Sequence, residues 1–220
     1  MSDKSTFVSR AGDKLQGALE AFGVDVSRCV CADFGCNVGG FTDCLLQHGA
    51  AKVYAIDTGY GELAWKLRKD PRVVVMERTN ALYCPVVEAV DLAVIDVAWT
   101  SLALAAPAAM KWLTPPADAM APEGSPNVSA NTPAAGPAIA AIRRPVILAL
   151  LKPHYELARI AGHKPHGVLE LTLAREVCQK VCRRLAELHL AVLGVAPSAL
   201  LGKGGNVEFF LLLEVSRMSA

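Results

Sequence analysis

Hydrophobic positions along this chain follow two periods. Short apolar runs stand at 30–34, 52–57, 72–76, 91–96 and 144–151, each close to strand length and bounded by turn residues or carboxylates. Continuous apolar runs of that length suit parallel strands covered on both faces. Between them the spacing turns helical. Leu15, Ala18, Leu19 and Phe22 share one face of a helix over 9–23, and further helices are expected over 41–48, 62–69, 101–113 and 169–188. The last two runs, 191–196 and 207–214, have no helix between them. The alternation predicts an α/β fold with a seven-stranded, mostly parallel sheet and helices on both faces. The first helix is expected across the carboxyl edge of the sheet, where such folds bind ligands.

The first apolar run ends in Asp33-Phe34-Gly35-Cys36-Asn37-Val38-Gly39-Gly40-Phe41, a strand running through a glycine turn into the 41–48 helix, which reads as amphipathic. Such a turn lets a ligand reach backbone amides at a helix N-terminus. The second run ends in Asp57, about 20 residues further on, where a carboxylate can grip ribose hydroxyls. A nucleoside-containing cofactor is therefore expected. A dinucleotide fingerprint asks for three glycines, and Asn37 stands at the middle position between Gly35 and Gly40. Asp33 beside the turn would repel a pyrophosphate and suit a cation. S-adenosylmethionine, with its ammonium and sulfonium, is favoured over a dinucleotide. Its expected contacts are Asp33, Gly35, Asn37, Gly39, Gly40, Phe41 and Asp57, with Asn80 near the base. The unhelical final strand pair also suits a Rossmann-like methyltransferase sheet. The triplet Asp33-Phe34-Gly35 is kinase-like by coincidence, since no glycine-rich nucleotide loop or His-Arg-Asp loop accompanies it.

Composition narrows the reading further. The chain has 220 residues, enough for one large domain, and 53% hydrophobic content to fill its core. A net charge of +1 gives no global field for nucleic acid. Basic clusters at Lys66-Leu67-Arg68-Lys69, Arg143-Arg144 and 180–184 read as solvated helix faces. The seven cysteines contain no Cys-x-x-Cys pair, which suits reduced thiols in a cytoplasmic protein; no metal is expected. The polar N-terminus is no signal peptide, and no apolar run reaches membrane-spanning length. Residues 114–142 hold six prolines and nine alanines with hardly any charge, which predicts a flexible insertion.

A second constellation consists of Lys14, Asp96, Lys152 and Glu208. Asp96 and Lys152 end expected strands, Lys14 begins the covering helix and Glu208 opens the last strand. Two lysines and two acids at one edge can serve a methyl transfer: a ribose hydroxyl is a very weak acid and needs an acceptor for its proton, and a desolvated lysine beside a second cation can serve. Two ordinary salt bridges would look the same, and spacing alone does not separate these readings.

Several segments together resemble the FtsJ/RrmJ-type RNA ribose 2'-O-methyltransferases, most closely their TlyA branch. They are Ser9-Arg10-Ala11-Gly12-Asp13-Lys14-Leu15, Gly39 to Leu45, Val53 to Asp57 with Gly59-Tyr60-Gly61, Glu77 to Ala81, Val94 to Val97, Leu151-Lys152-Pro153 and Gly205 to Phe209. The resemblance covers nearly the whole chain outside 114–142. It implies the methyltransferase fold, S-adenosyl-L-methionine as cofactor, RNA, with ribosomal RNA foremost, as substrate, and a catalytic Lys-Asp-Lys-Glu tetrad on Lys14, Asp96, Lys152 and Glu208, with Asp96 also at the cofactor. Ala98-Trp99 and His154-Tyr155 stand where the family tends to have Ser-Phe and Gln-Phe. The resemblance implies a small N-terminal RNA-binding domain in the TlyA branch, which is expected to be absent here. Weak, salt-sensitive RNA binding is therefore expected, resting on Lys14, Arg143, Arg144, Lys164 and Lys203, with no membrane contact and a monomer favoured. A cofactor-binding scaffold without turnover and a haemolysin-like membrane-active protein are the alternatives.

Overall fold

The structure is a computed structural model that describes residues 5–113, 140–141, 144–162, 167–202 and 204–215. The expected insertion at 114–142 lies outside these apart from Ala140–Ala141. Arg143, Lys164 and Lys203 also lie outside.

The chain opens with α1 (Arg10–Phe22), capped at its start by the Ser9 hydroxyl and ended by Gly23 in the left-handed conformation. There follow β1 (Val24–Asp25), β2 (Val30–Phe34), α2 (Gly40–Gln47), β3 (Lys52–Ile56), α3 (Trp65–Arg68), β4 (Val73–Met76), β5 (Leu92–Ile95) and α4 (Leu102–Leu113). The remainder is β6 (Ala140–Ala141), β7 (Val146–Leu151), α5 (Pro153–Ala161), α6 (Leu171–Glu187), β8 (Leu190–Pro197) and β9 (Phe209–Val215).

Seven strands form one sheet in the order β4-β3-β2-β5-β7-β9-β8. The first five run parallel and β9 is antiparallel to both its neighbours. The expected sheet is therefore present. Its two faces follow from strand alternation. Ala32, Phe34, Tyr54 and Ile56 pack with Trp112 of α4 and Val177 of α6, while Cys31, Val53 and Ala55 pack with Leu15 of α1 and Phe41 and Leu45 of α2. Edge-to-face packing of Phe34 on Trp112, 6.2 Å between centroids, anchors the first face.

Three local expectations differ. The 41–48 helix is not amphipathic: α2 is buried from Gly40 to Leu46, because α1 covers the side that would meet water. The helix over 62–69 shrinks to the single turn of α3. Gly61 donates its N–H to Glu77 Oε1 at 2.8 Å and Ala64 to the Val38 carbonyl at 3.1 Å, which holds 61–64 out of the helix, beside the glycine turn. A whole helix, α5, was not anticipated; Pro153 occupies its first turn, where the missing N–H costs nothing.

The crossover rule places the site. From β2 the chain moves to β3 and β4 on one side, then returns to β5 on the other side of β2. The carboxyl ends of β2 and β5 flank the point where the winding reverses, and ligands of open α/β sheets bind in that crevice.

Candidate active site

A cavity of about 300 Å³ opens at this crevice, lined by Gly35, Asn37, Gly40, Phe41, Asp57, Asp96 and Lys152 among others. Its floor is the turn after β2. Gly35 has φ of 90°, Asn37 48° and Gly39 96°, a left-handed series that glycine and asparagine tolerate. A Cβ on Gly35 would stand 2.6 Å from the Asp96 carbonyl, so the tips of β2 and β5 approach as closely as they do only because Gly35 lacks one. Gly40 has the same role toward α1: a Cβ there would strike Ser9, Ala11 and the Gly12 nitrogen. The N-terminal end of α1 thus sits directly on that of α2, and Ser9 and Ala11 become cavity wall. Asp43, buried in α2, accepts from the Val8 N–H at 2.8 Å and pairs with Lys66 at 2.9 Å, holding the entry of α1 and the region of α3 around the turn.

Asp57 ends β3 beside this floor. Asn37 donates its backbone N–H to Asp57 Oδ2 and Gly59 donates to Oδ1, both at 2.8 Å. Each carboxylate oxygen accepts more than one hydrogen bond, so the group remains able to bind hydroxyls. Asp33 lies beneath the turn and does not line the cavity. Its Oδ2 accepts from the Thr42 hydroxyl at 2.7 Å, while its Oδ1 is buried without a hydrogen-bond partner. Burial pushes its carboxyl up to about 7, with the Thr42 bond working against the rise and the charge of Asp96 adding to it. Cys36 reaches the cavity, and burial pushes its thiol well above the ordinary range, so it is a neutral wall rather than a nucleophile.

Besides Asp33, two more expected contacts, Gly39 and Asn80, do not line the cavity. The bare α-carbon of Gly39 faces Leu63 and Leu67. The Asn80 side-chain Oδ1 accepts the Leu82 N–H at 3.0 Å, closing a turn beyond β4. Sequence reasoning missed Ser9, Ala11, Cys36, Val38, Ala98 and Trp99, all of which line it. Trp99 is 47% exposed at its mouth. Its position three residues past Asp96 was the available signal.

The four residues of the second constellation form two ion pairs. Lys14 Nζ lies 2.6 Å from Glu208 Oε2, and Lys152 Nζ forms an ion pair with Asp96 Oδ1. The sheet register brings the pairs to one edge. Leu151 opposes Phe209 across β7 and β9, so Lys152 and Glu208 are the next facing positions beyond the ladder. Asp96 and Lys152 line the cavity; Lys14 and Glu208 lie behind it. Glu208 is 3% exposed, and Gly202 is pressed against its carboxylate so closely that a Cβ would overlap it.

A strand-end carboxylate, a glycine turn and paired lysines and acids meet on the switch-point edge, and residues 7–215 match the family model described as FtsJ-like methyltransferase. The chain belongs to that family. It is 40% identical over 211 residues to the 16S/23S rRNA (cytidine-2'-O)-methyltransferase TlyA of Mycobacterium tuberculosis, covering 94% of this chain and 68% of that protein. It is 28% identical over 208 residues to the 23S rRNA (cytidine-2'-O)-methyltransferase TlyA of Campylobacter jejuni, covering 93% of this chain and 69% of that one. A solved structure from Streptococcus thermophilus, named as a haemolysin, superposes with a TM-score of 0.79 at 32% identity, covering 98% of this chain and 70% of that one. Among the described residues no helix is long and apolar enough to cross a membrane.

Proposed function

We infer that this FtsJ-like methyltransferase transfers a methyl group from S-adenosylmethionine to a ribose 2'-hydroxyl of RNA, with ribosomal RNA as the substrate class. The observation that carries the reading is the placement of the Lys152–Asp96 pair on the wall of the cavity, backed by the Lys14–Glu208 pair, whose Glu208 faces Lys152 just beyond the β7–β9 ladder. The rRNA methyltransferase activity of relatives covering most of this chain supports the substrate class.

The residues fit the cofactor. The cavity is lined by two carboxylates, Asp57 and Asp96, and Asp33 carries an orphaned buried oxygen below it, acceptor groups that suit an ammonium and a sulfonium. Asp57 would hold the ribose hydroxyls, and the bare α-carbons of Gly35 and Gly40 leave room for the ligand over the turn. When bound, S-adenosylmethionine supplies an electrophilic methyl on a positively charged sulfur.

The chain's own residues have three tasks. Lys152 and Asp96 would hold the substrate hydroxyl at the cavity wall and take up its proton as that oxygen receives the methyl and the methyl–sulfur bond breaks. Lys14 and Glu208 fix the neighbouring end of β9 and keep the second lysine charge beside the first. The turn and the wall of α1 exclude water and set the line of approach. Most of the acceleration then comes from positioning two reactants in line.

The test is reaction of the purified protein with S-adenosylmethionine and ribosomal RNA, followed by digestion and mass spectrometry of the nucleosides. A 2'-O-methylnucleoside above the no-enzyme control supports the reading. Cofactor binding without methylation of any RNA favours a scaffold instead.

A further inference from the structure

The helix α5 joins the two halves of the catalytic edge. Its N-cap is Lys152, and Pro153 fixes its first turn. One turn on, Glu156 is buried, and its Oε1 accepts the Leu102 N–H, the first amide of α4, at 2.9 Å. Arg159 reaches over the same loop: its Nη2 donates to the Ala98 carbonyl at 2.6 Å while its Nη1 donates to Tyr155 of its own helix at 2.9 Å. The loop from Asp96 to Ser101 is therefore held at both ends by α5. It carries Asp96, Ala98 and Trp99, all on the cavity wall. Together with the Lys152–Asp96 ion pair, these contacts close a ring: Asp96 to Lys152, along α5 to Arg159, and back to Ala98.

We propose that Glu156 and Arg159 are positioning residues that hold the Asp96–Trp99 loop and Lys152 as one rigid unit, so that the proton-accepting pair keeps its geometry against the substrate hydroxyl. The proposal rests on the methyl-transfer reading above. Burying a carboxylate is costly unless it is used, and burial does push the Glu156 carboxyl up. The use visible here is an acceptor for an otherwise unpaired helix N-terminal amide, which needs an oxygen rather than a charge. Glutamine keeps that oxygen at the same reach. Neither side chain lines the cavity, so their effect on chemistry runs through the loop and the pair. A misplacement of about 1 Å at a reacting group costs on the order of 100-fold in rate.

The experiment compares Glu156→Ala, Glu156→Gln and Arg159→Ala in the full chain. Three readouts are used: methylation kinetics on ribosomal RNA, S-adenosylmethionine affinity by calorimetry, and acrylamide quenching of Trp99 emission in a Trp65→Phe background. Glu156→Ala is expected to lower kcat roughly 10- to 100-fold, with the RNA KM changed far less, and to make Trp99 more quenchable. Glu156→Gln restores kcat and quenching to near the wild type. Arg159→Ala acts in the same direction and, with its guanidinium on the surface, tests the loop tie even if Glu156→Ala fails to fold. Wild-type kcat in both alanine variants overturns the proposal, as does a Gln variant that folds yet is as slow as Ala. A wild-type protein that methylates no RNA overturns the functional reading instead, which keeps the two failures apart.

Discussion

Asn37 donates its backbone N–H to Asp57 Oδ2 at 2.8 Å, tying the glycine turn after β2 to the tip of β3. The bond joins the two pieces of chain that a nucleoside cofactor must touch at once, so the site is set before any ligand arrives. Asp57→Ala is expected to raise the S-adenosylmethionine Kd by about 1.5–3 kcal/mol, roughly 10- to 150-fold, through lost charged hydrogen bonds. Calorimetry measures it. Unchanged affinity would remove Asp57 from the cofactor site.

Lys14 and Glu208 make a prediction about stability. Glu208 is 3% exposed and Lys14 13%, so removing the lysine leaves a buried carboxylate without a counter-charge. Lys14→Ala should cost about 3 kcal/mol, the low end for a broken buried pair because Lys14 retains some exposure. Glu208→Gln should cost less, since the lysine can turn toward water. Urea titration checks the order, which a pair of no structural consequence would not show.

Asp33 predicts a pH dependence. Its folded carboxyl stands at about 7 against an ordinary 3.8, so between those values the folded protein holds a proton that the unfolded chain has released. Stability from this group is full below 3.8 and falls as pH rises through about 7. Asp33→Asn removes that dependence. Relative to the wild type, the variant should gain stability steadily from acid to neutral pH and no further above it. A constant difference across that window in pH-resolved denaturation would contradict the buried, unpaired oxygen.

Gly35 predicts loss of both fold and activity on a single methyl group. Gly35→Ala adds a Cβ at φ of 90° and drives it to 2.6 Å from the Asp96 carbonyl. A cost of about 1–3 kcal/mol is expected from the backbone strain alone, with the crowding additional. Methylation should fall more than cofactor binding, because Asp96 is what moves. Thermal melting and kinetics together test it.

Much of this was legible in the sequence where one physical requirement dominated. The inner strands of the parallel sheet are buried on both faces, so their apolar runs announce themselves. Asp57 and Asp96 could be placed because a carboxylate at a strand end has few other reasons to interrupt such a run. What was hidden depended on contacts between distant segments. The burial of α2 comes from α1 packing over it, and no pattern within 41–48 records that. The helix α5 was masked by Pro153, read as the end of a strand although it suits a helix start. Asp33 was expected to touch the cofactor, but Thr42, nine residues on, holds it below the floor. Gly39 faces Leu63 and Leu67, one before and one within α3, a use of glycine that the fingerprint spacing cannot separate from ligand contact.

The central claim is methyl transfer to a ribose 2'-hydroxyl at the Lys152–Asp96 wall. A methyl on that oxygen blocks alkaline cleavage of the adjoining phosphodiester, whereas a methyl on a base does not. Ribosomal RNA is therefore treated with the protein and methyl-labelled S-adenosylmethionine, then hydrolysed completely in alkali. The account predicts label in alkali-resistant dinucleotides with the wild type and none with Lys152→Ala. Label in mononucleotides, or equal dinucleotide label from the Lys152→Ala protein, would contradict it.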